Sequence, residues 1–496
     1  MDQTGVIVIL RDFIYPIIAG TAVIWAPLLC GYLAWGWWLE YVRKLKISEA
    51  KFTMIEIKIP KEVYKSPAAI EVMLNSMYGD TRPPLFTKGL ETKWSTLITD
   101  FGKWYSAIWS GSWPLWWSLE IASIEGNIYF FIRCEPKNRE TIENLLYSQF
   151  PQAEITEVDD YTKYVPPFKA GGSWDLRACE YKLKETFEVV DSKGNKKKYA
   201  ADAVPLKTYV DYGLHDSFNL EEEQKIDPMV PFLQAMGSIG VGEQVWFQIV
   251  MQGSWAHYDN PNPEKKSEKP FISWQDVGKY YLENNVLKRW TKLLRTEDHP
   301  TEKVKKKDKD GNEVEAAKEV KFFTSGYGDL PPAEKERVEA IDRKLVKSAY
   351  DCGIRLMYIA KADKFNKNKF GEVKNALKQF NAVNRNSLEA INGTDDGFDY
   401  PWQDYRDLKK FTNREKMFKR YIKREFFYPP EMGATVLVKE VLDRPLVKGT
   451  IKSTEICPLG TEELATLFHF PGTVAKTSAL GRIEAQKAEP PANLPI

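Results

Sequence analysis

The chain is poor in the residues that metal and redox chemistry most often use. Its four histidines, His215, His257, His299 and His469, lie far apart. None forms an HxxxH or HExxH pair, which counts against a zinc site on one helix. Its five cysteines, Cys30, Cys134, Cys179, Cys352 and Cys457, are scattered singly without a CxxC, a pattern of reduced thiols rather than a disulfide framework. Neither sign of charge predominates. With 70 Lys+Arg against 69 Asp+Glu the net charge is +1, too little for a surface given over to neutralising phosphates. A phosphate loop is also missing. The nearest string, Pro471 to Thr477, ends in Lys-Thr but has Ala475 where the glycine before lysine belongs. Gly237–Glu243 is glycine-rich but joins a helix to a strand, the reverse of a dinucleotide fingerprint. The acids of Asp159-Asp160 and Glu221-Glu222-Glu223 read as solvated loop residues. No catalytic residue, metal ligand or cofactor is expected.

What the chain does have is one long apolar run. From Phe13 to Leu39 no residue is charged. As a helix at about 1.5 Å per residue the run reaches roughly 40 Å, enough to cross a hydrocarbon core of about 30 Å once. Pro16 and Pro27 each remove a helical hydrogen bond, so a kink near Pro27 is expected. Trp35, Trp37, Trp38 and Tyr41 gather at one end, where aromatic rings favour the headgroup layer. Arg43, Lys44 and Lys46 follow, against a lone Arg11 on the other flank. The positive-inside rule then gives a single-pass protein of the cytoplasmic membrane, with residues 1–12 outside and everything after Leu39 in the cytoplasm. The run is too long for a signal peptide, and no A-x-A site precedes Glu40.

At roughly 150 residues per domain the length allows about three folded units. Residues 52–162 read as β-α-β-β-α-β. Met54–Ile59 alternates like a half-buried strand, Ser66-Pro67 opens a helix, two strands flank Glu125-Gly126-Asn127, Asn138 caps a second helix, and Ala153–Val158 closes the set. That order is the split βαβ, or ferredoxin-like, arrangement, with an insertion holding Trp94, Trp104, Trp109 and Trp113. The tryptophans suit either a core or a membrane interface. A second α+β module over 173–395 is expected to place strands at YKLKETFEVV, LKTYVDYGL, QVWFQIVMQ and GIRLMYIA. Its helices would start at Asp227-Pro228 and run from Ala333 to Tyr350 and around KNALKQFNAVN. Its insertion, about 253–330, would hold a helix beginning at Ser273 and a mixed-charge run, EKVKKKDKDGNEVEAAKEVK, read as a mobile loop. Residues 396–496 read as a helical segment and a Pro-rich tail. The basic stretch Arg414–Arg424 could meet nucleic acid or lipid, but interleaved acids favour a solvated helix face.

Three stretches are more specific than their periodicity: SLEIASIEGNIYFFIR with ENLLYSQFPQAEITEVDDYT; DPMVPFLQAMGSIGVGEQVWFQIVMQ; and STEICPLGTEELATLFHFPGTVAKTSALGRIEAQKAEPPANLP. Together they resemble the region preceding the motor domain in HerA/FtsK-like ATPases of type IV secretion and conjugation systems, in the form seen in candidate-phyla (Patescibacteria-type) bacteria. The resemblance runs, with gaps, from about Phe52 to the last residue. In such proteins the segment matching Thr461, Glu462 and Leu464 through His469, Phe470 and Pro471 leads into the ATPase. This chain has no Walker A, Walker B or arginine-finger context, so ATP hydrolysis does not carry over. The resemblance implies a non-enzymatic docking or scaffold component of a DNA- or protein-translocation ATPase, the motor being a separate chain or a missing part of a longer one. Its partners would be the lipid bilayer and a HerA/FtsK-like ATPase, with Thr461, Glu462, Leu464, His469, Phe470 and Pro471 as the contact. A membrane-surface or nucleic-acid binder, or a membrane enzyme with a dispersed site, is the alternative. If the run from Phe13 to Leu39 spans the bilayer, carbonate-washed membranes will retain the full chain, and removing residues 1–51 will release it into the soluble fraction.

Overall fold

A computed structural model describes residues 51–60, 65–78, 115–168, 172–190, 194–215, 226–254, 258–262, 271–287, 302–307, 313–318, 330–395, 407–425 and 456–471, together with Trp402, Asp404 and scattered positions from 20 to 50. The chain divides into two compact units. One comprises Met1–Lys51, Pro83–Leu115 and Tyr428–Gly449, and the other Phe52–Arg82, Trp116–Phe427 and Thr450–Ile496. In the first, each described position from Gly20 to Glu49 is helical, including Pro27, Trp38, Tyr41 and Lys46. The rings of Trp38 and Tyr41 lie 6.3 Å apart. Phe13, Trp35, Trp37, Leu39, Arg43 and Lys44 lie outside the described residues, as do the four tryptophans of the insertion. Among the described residues no helix is long and apolar enough to cross a membrane.

The second unit is α+β and is built on one antiparallel sheet of nine strands. Its first half runs β1 (Thr53–Lys58), α1 (Ala68–Met77), β2 (Trp117–Ile124), β3 (Asn127–Cys134), α2 (Arg139–Gln149) and β4 (Glu154–Val158). The second half begins with β5 (Trp174–Leu183), the ribbon β6 (Thr186–Val190) and β7 (Lys196–Ala200), α3 (Met229–Gly237) and β8 (Glu243–Gly253). An insertion follows, with β9 (Tyr258–Asp259), β10 (Phe271–Ile272), α4 (Trp274–Tyr281), β11 (Glu302–Lys307) and β12 (Glu313–Lys318). Then come α5 (Pro332–Val346), β13 (Ala349–Lys361), α6 (Lys367–Ala376), β14 (Leu388–Ile391), α7 (Leu408–Lys423), β15 (Cys457–Gly460) and α8 (Thr461–Leu467).

The strand order is β14-β5-β13-β8-β2-β3-β1-β4, with β15 added along β13. Read outward from its centre, each half lists its strands identically: second, third, first, fourth. The two halves therefore share one topology and meet where β2 pairs with β8 in antiparallel register, Ser118 facing Val250 and Ile124 facing Gln244. The junction relates them by an approximate two-fold axis passing between Glu120 and Gln248, which face each other.

Alternation along the strands sorts their side chains onto two faces. One face presents Leu119, Ile121, Phe247, Ile249, Ile354, Leu356, Ile132 and Ile55, all fully buried beneath the helices. The opposite face mixes Trp246, Met357 and Phe131 with charged residues, and α7 covers it with Met417, Phe418 and Tyr421. The turn between β2 and β3 has positive φ at both Glu125 and Gly126, the primed geometry that suits a two-residue hairpin. A Cβ on Gly126 would lie 3.0 Å from the Ile239 carbonyl oxygen, so the site requires glycine on two counts.

Several expectations are corrected. The segment LKTYVDYGL forms turns rather than a strand, because Leu206, Tyr209 and Leu214 anchor it to the core at irregular spacing. The helix expected to reach Tyr350 stops at Val346, and Tyr350 already pairs within β13. Asn138 makes no side-chain cap, since a 3-10 turn at Pro136–Asn138 leads directly into α2. Part of the charged run expected to be a loop is the antiparallel β11–β12 ribbon, with Glu302 opposite Lys318 and Lys305 opposite Glu315 in register. The core arrangement implies that Phe247→Ala, which empties a site facing Phe232 at 5.1 Å between ring centres, will destabilise the unit by about 3–5 kcal/mol in denaturant titration.

Candidate functional site

Two constellations of buried polar groups lie in the second unit, one on each face of the sheet. The first follows a single row across the strands. Register places Glu56, Phe131, Glu120, Gln248, Arg355 and Glu180 side by side, all directed to the face covered by α7. A carboxylate there is costly unless it is paired. Glu120 is completely buried and accepts from both Arg424 Nε (2.9 Å) and Arg424 Nη2 (3.0 Å), a bidentate fork. It also accepts from Ser118 Oγ (2.6 Å), Tyr161 Oη (2.7 Å) and Gln248 Nε2 (3.1 Å). Arg424 bridges onward to Asp160, with Nη2 2.9 Å from Oδ1 and Nη1 bonded to Oδ2. The helix is placed for this by its own end. Arg424 has φ +48, the left-handed conformation that terminates a helix, and this turns its side chain beneath α7. Next along the row, Arg355 donates to Glu180 (3.0 Å) and to Gln248 Oε1 (3.3 Å), and Asn392 donates to Glu180 (2.7 Å).

The electrostatics follow from this arrangement. Burial alone would raise the Glu120 carboxyl, but the charge and two hydrogen bonds of Arg424 outweigh it and hold Glu120 below its ordinary value. Asp160 behaves likewise, burial being overcome by Arg424 and the Thr162 amide. Arg133, one strand away, is pushed down to about 10 by burial and by its proximity to Arg424. Tyr161 and Tyr421, 2.8 Å apart through their hydroxyls, are raised by burial and then by Glu120.

The second constellation is formed by the C-terminal segment. Strand β15 pairs with β13, Cys352 facing Cys457 and Ala349 facing Gly460, and α8 packs on α1 of the other half. Glu463 reaches back to the Gly460 amide (2.7 Å), accepts from Leu206 N (2.8 Å) and pairs with buried Lys344 (2.7 Å). Glu462 pairs with Arg343 (3.0 Å) and Lys347 (2.9 Å) and accepts from the Thr208 hydroxyl. Lys347 also reaches Glu71 on α1 (2.7 Å), which accepts from Tyr209 Oη (2.6 Å) and Thr461 Oγ1 (3.3 Å). His469 donates from Nδ1 toward the Ala465 carbonyl (3.0 Å), and its Nε2 lies 3.0 Å from Asp227, whose carboxyl it holds down against the effect of burial. Phe468 and Phe470 stack edge-on against Phe130 at 5.8 and 5.1 Å.

The sequence-predicted contact residues thus stand together, but inside the fold. Thr461 and Leu464 are fully buried, Glu462, His469 and Phe470 nearly so, and Pro471 lies beside β1. Their side chains are spent on internal contacts and do not form an open docking face, because a short helix with seven buried residues in succession has no solvent side. The arginines of the basic stretch Arg414–Arg424 are likewise committed, while Lys419 and Lys423 lie on an exposed helix face. Arg414 is paired with Asp175 and Asp395, Arg420 with Glu180, and Arg424 with Glu120. Asp160, expected to face water, is the partner of Arg424. His215 is exposed, and Glu221–Glu223 lie outside the described residues. Sequence reasoning missed the Glu120–Arg424 pair, whose one local sign is a glutamate at an inward position of an otherwise apolar strand.

No family model matches the chain, and no curated protein matches it.

The buried carboxylates carry the pH dependence. Glu120, Asp160 and Asp227 have folded values below their ordinary 4.5, 3.8 and 3.8, so their stabilisation is complete above about pH 5. It is lost as pH falls through 4 and below, because the unfolded state takes up protons first. Denaturation midpoints measured from pH 7 to pH 3 will fall across that window. Arg424→Met will cost about 3–5 kcal/mol at pH 7 by stranding Glu120, and adding Glu120→Gln will restore part of it.

Proposed function

We propose that this protein is a membrane-anchored docking scaffold for a HerA/FtsK-like translocation ATPase. In this reading the run from Phe13 to Leu39 is the single transmembrane helix. The two halves of the sheet are a pair of ferredoxin-like modules fused edge to edge, and the strand order of each half supports that assignment. The observation that carries the proposal is the locking of residues 457–471 across both halves. A strand on β13, a helix on α1 and two phenylalanines against Phe130 fix the position of Pro471 on the platform. In the proteins the chain resembles, the segment that follows leads into the motor. An exit point held at Pro471 would fix where whatever engages residues 472–496 meets the platform. The role needs no chemistry from the platform, and the Glu120–Arg424, Glu462–Arg343 and Glu463–Lys344 pairs brace it.

The test is purification of the tagged full chain from its own membranes in detergent, with accompanying chains identified by mass. A HerA/FtsK-like ATPase is expected to come down with the full chain and to be lost from a chain ending at Pro471, which keeps every described element. Deleting Thr461–Pro471 itself would be uninformative, since it removes part of the core. Recovery of the chain without any ATPase would defeat the docking reading.

A further inference from the structure

Among the described residues Arg133 is the one arginine with neither a hydrogen bond nor an ion pair. It stands on β3, half-buried, on the face that α7 covers. Its neighbours across the strands are Met54 and Ser118. The first is apolar, and the second turns its hydroxyl to Glu120 (2.6 Å). The other arginines of this face are spent, Arg424 on Glu120 and Asp160 and Arg355 on Glu180. Phe52 backs the Arg133 guanidinium, its ring centre 3.6 Å from Cζ, which holds the group in place without giving it an acceptor. Nη1 is withdrawn from solvent and unbonded, a cost that nothing inside the unit offsets. Glu120 and Asp160 attract Arg133 from a distance, but their oxygens are bonded to Arg424. Even pushed down to about 10, Arg133 stays charged at neutral pH.

What this residue lacks is an acceptor, and its own geometry selects one. A guanidinium presents parallel N–H donors in a fixed fork, which two oxygens of a single oxyanion match. Nη1 alone among its nitrogens is cut off from water, so an anion can approach along the others. Position selects the source of that anion. Phe52 is thirteen residues beyond Leu39, with Lys44, Lys46 and Lys51 in between. Thirteen residues of chain reach at most about 45 Å. In the anchored reading, Phe52 and the arginine stacked on it are therefore tethered close to the headgroup layer, where lysines gather anionic lipids. We propose that Arg133, backed by Phe52, is a binding site for a phosphate oxyanion, the nearest source being an anionic lipid headgroup. The inference rests on the membrane-anchored reading for the source of the phosphate and not for the site itself.

The probe is dihexanoyl-phosphatidylglycerol, a water-soluble lipid, titrated by calorimetry into the full chain in an uncharged detergent. Dihexanoyl-phosphatidylcholine, whose phosphate is masked by its own cation, measures simple partition into the micelle. Saturable binding of the glycerol lipid above that control is expected, weakened about tenfold or more by Arg133→Met. Arg133→Lys, which keeps the charge but loses the fork, should weaken it several-fold. Unlike Arg424→Met, Arg133→Met strands no carboxylate, so its thermal midpoint should hold or rise. Inorganic phosphate binding more weakly than the lipid, and only with Arg133 present, would support the headgroup as the source. Phosphate binding as tightly as the lipid, with the same dependence, would support the site and assign it to free phosphate. Absence of binding, or binding undiminished in Arg133→Met, would overturn the proposal. So would acetate binding as tightly as phosphate, which would point to a carboxylate, or Arg133-dependent binding of a DNA duplex in preference to the lipid. A midpoint falling as far as that of Arg424→Met would overturn it too, by showing that Arg133 braces the fold. A monomeric short-chain lipid needs no bilayer, so this outcome is separate from whether washed membranes retain the chain.

Discussion

The pairing of β2 with β8 is the constraint on which the second unit depends. Without it, two four-stranded halves would each present an apolar-edged strand to water, an invitation to unwanted association. With it, the edges close on one another, one sheet runs through the whole unit, and a single apolar face is shared by α1, α2, α3 and α6. The same junction brings Glu120 and Gln248 together at the approximate two-fold axis, and every element of the polar row is placed relative to that point.

Symmetry is kept in the backbone and broken in the side chains. Counting outward along the row, Glu56 corresponds to Glu180, Phe131 to Arg355 and Glu120 to Gln248. In the second half the row contains its own cation, Arg355, and Glu180 is satisfied by a neighbour on the sheet. In the first half that place is taken by Phe131, so Glu120 must draw its cation from outside the sheet, and α7 delivers Arg424 to it. Arg424 makes that reach from the left-handed terminus of α7.

Much of this was legible from the sequence, for physical reasons. Met54–Ile59, the Glu125-Gly126-Asn127 turn and the helix after Asp227-Pro228 announce themselves through alternation, a positive-φ hairpin pair and a proline at a helix start. These are local signals. The pairing of β2 with β8 has none, since both strands read as buried and nothing in either names its neighbour. Nor could the internal repetition be seen, because it resides in topology and the two halves share little residue for residue. The C-terminal contact residues were singled out as a group, and the structure does bring them together. What the sequence could not show is that His469 meets Asp227 and Thr461 meets Glu71, partners 242 and 390 residues away.

Those separations bear on how the protein is made. Glu120 is synthesised 304 residues before Arg424, and Glu71 still longer before Thr461. At about 5–20 residues per second, the first half exists for roughly 15–60 seconds with a buried-type carboxylate and no cation to meet it. Its β2 edge lacks β8 for much of the same interval. The Glu120–Arg424 and Glu71–Thr461 contacts can therefore form only after Arg424 and Thr461 have been made. Strand β15 and α8 are thus the last described elements in chain order, yet they complete a core whose other parts come before them.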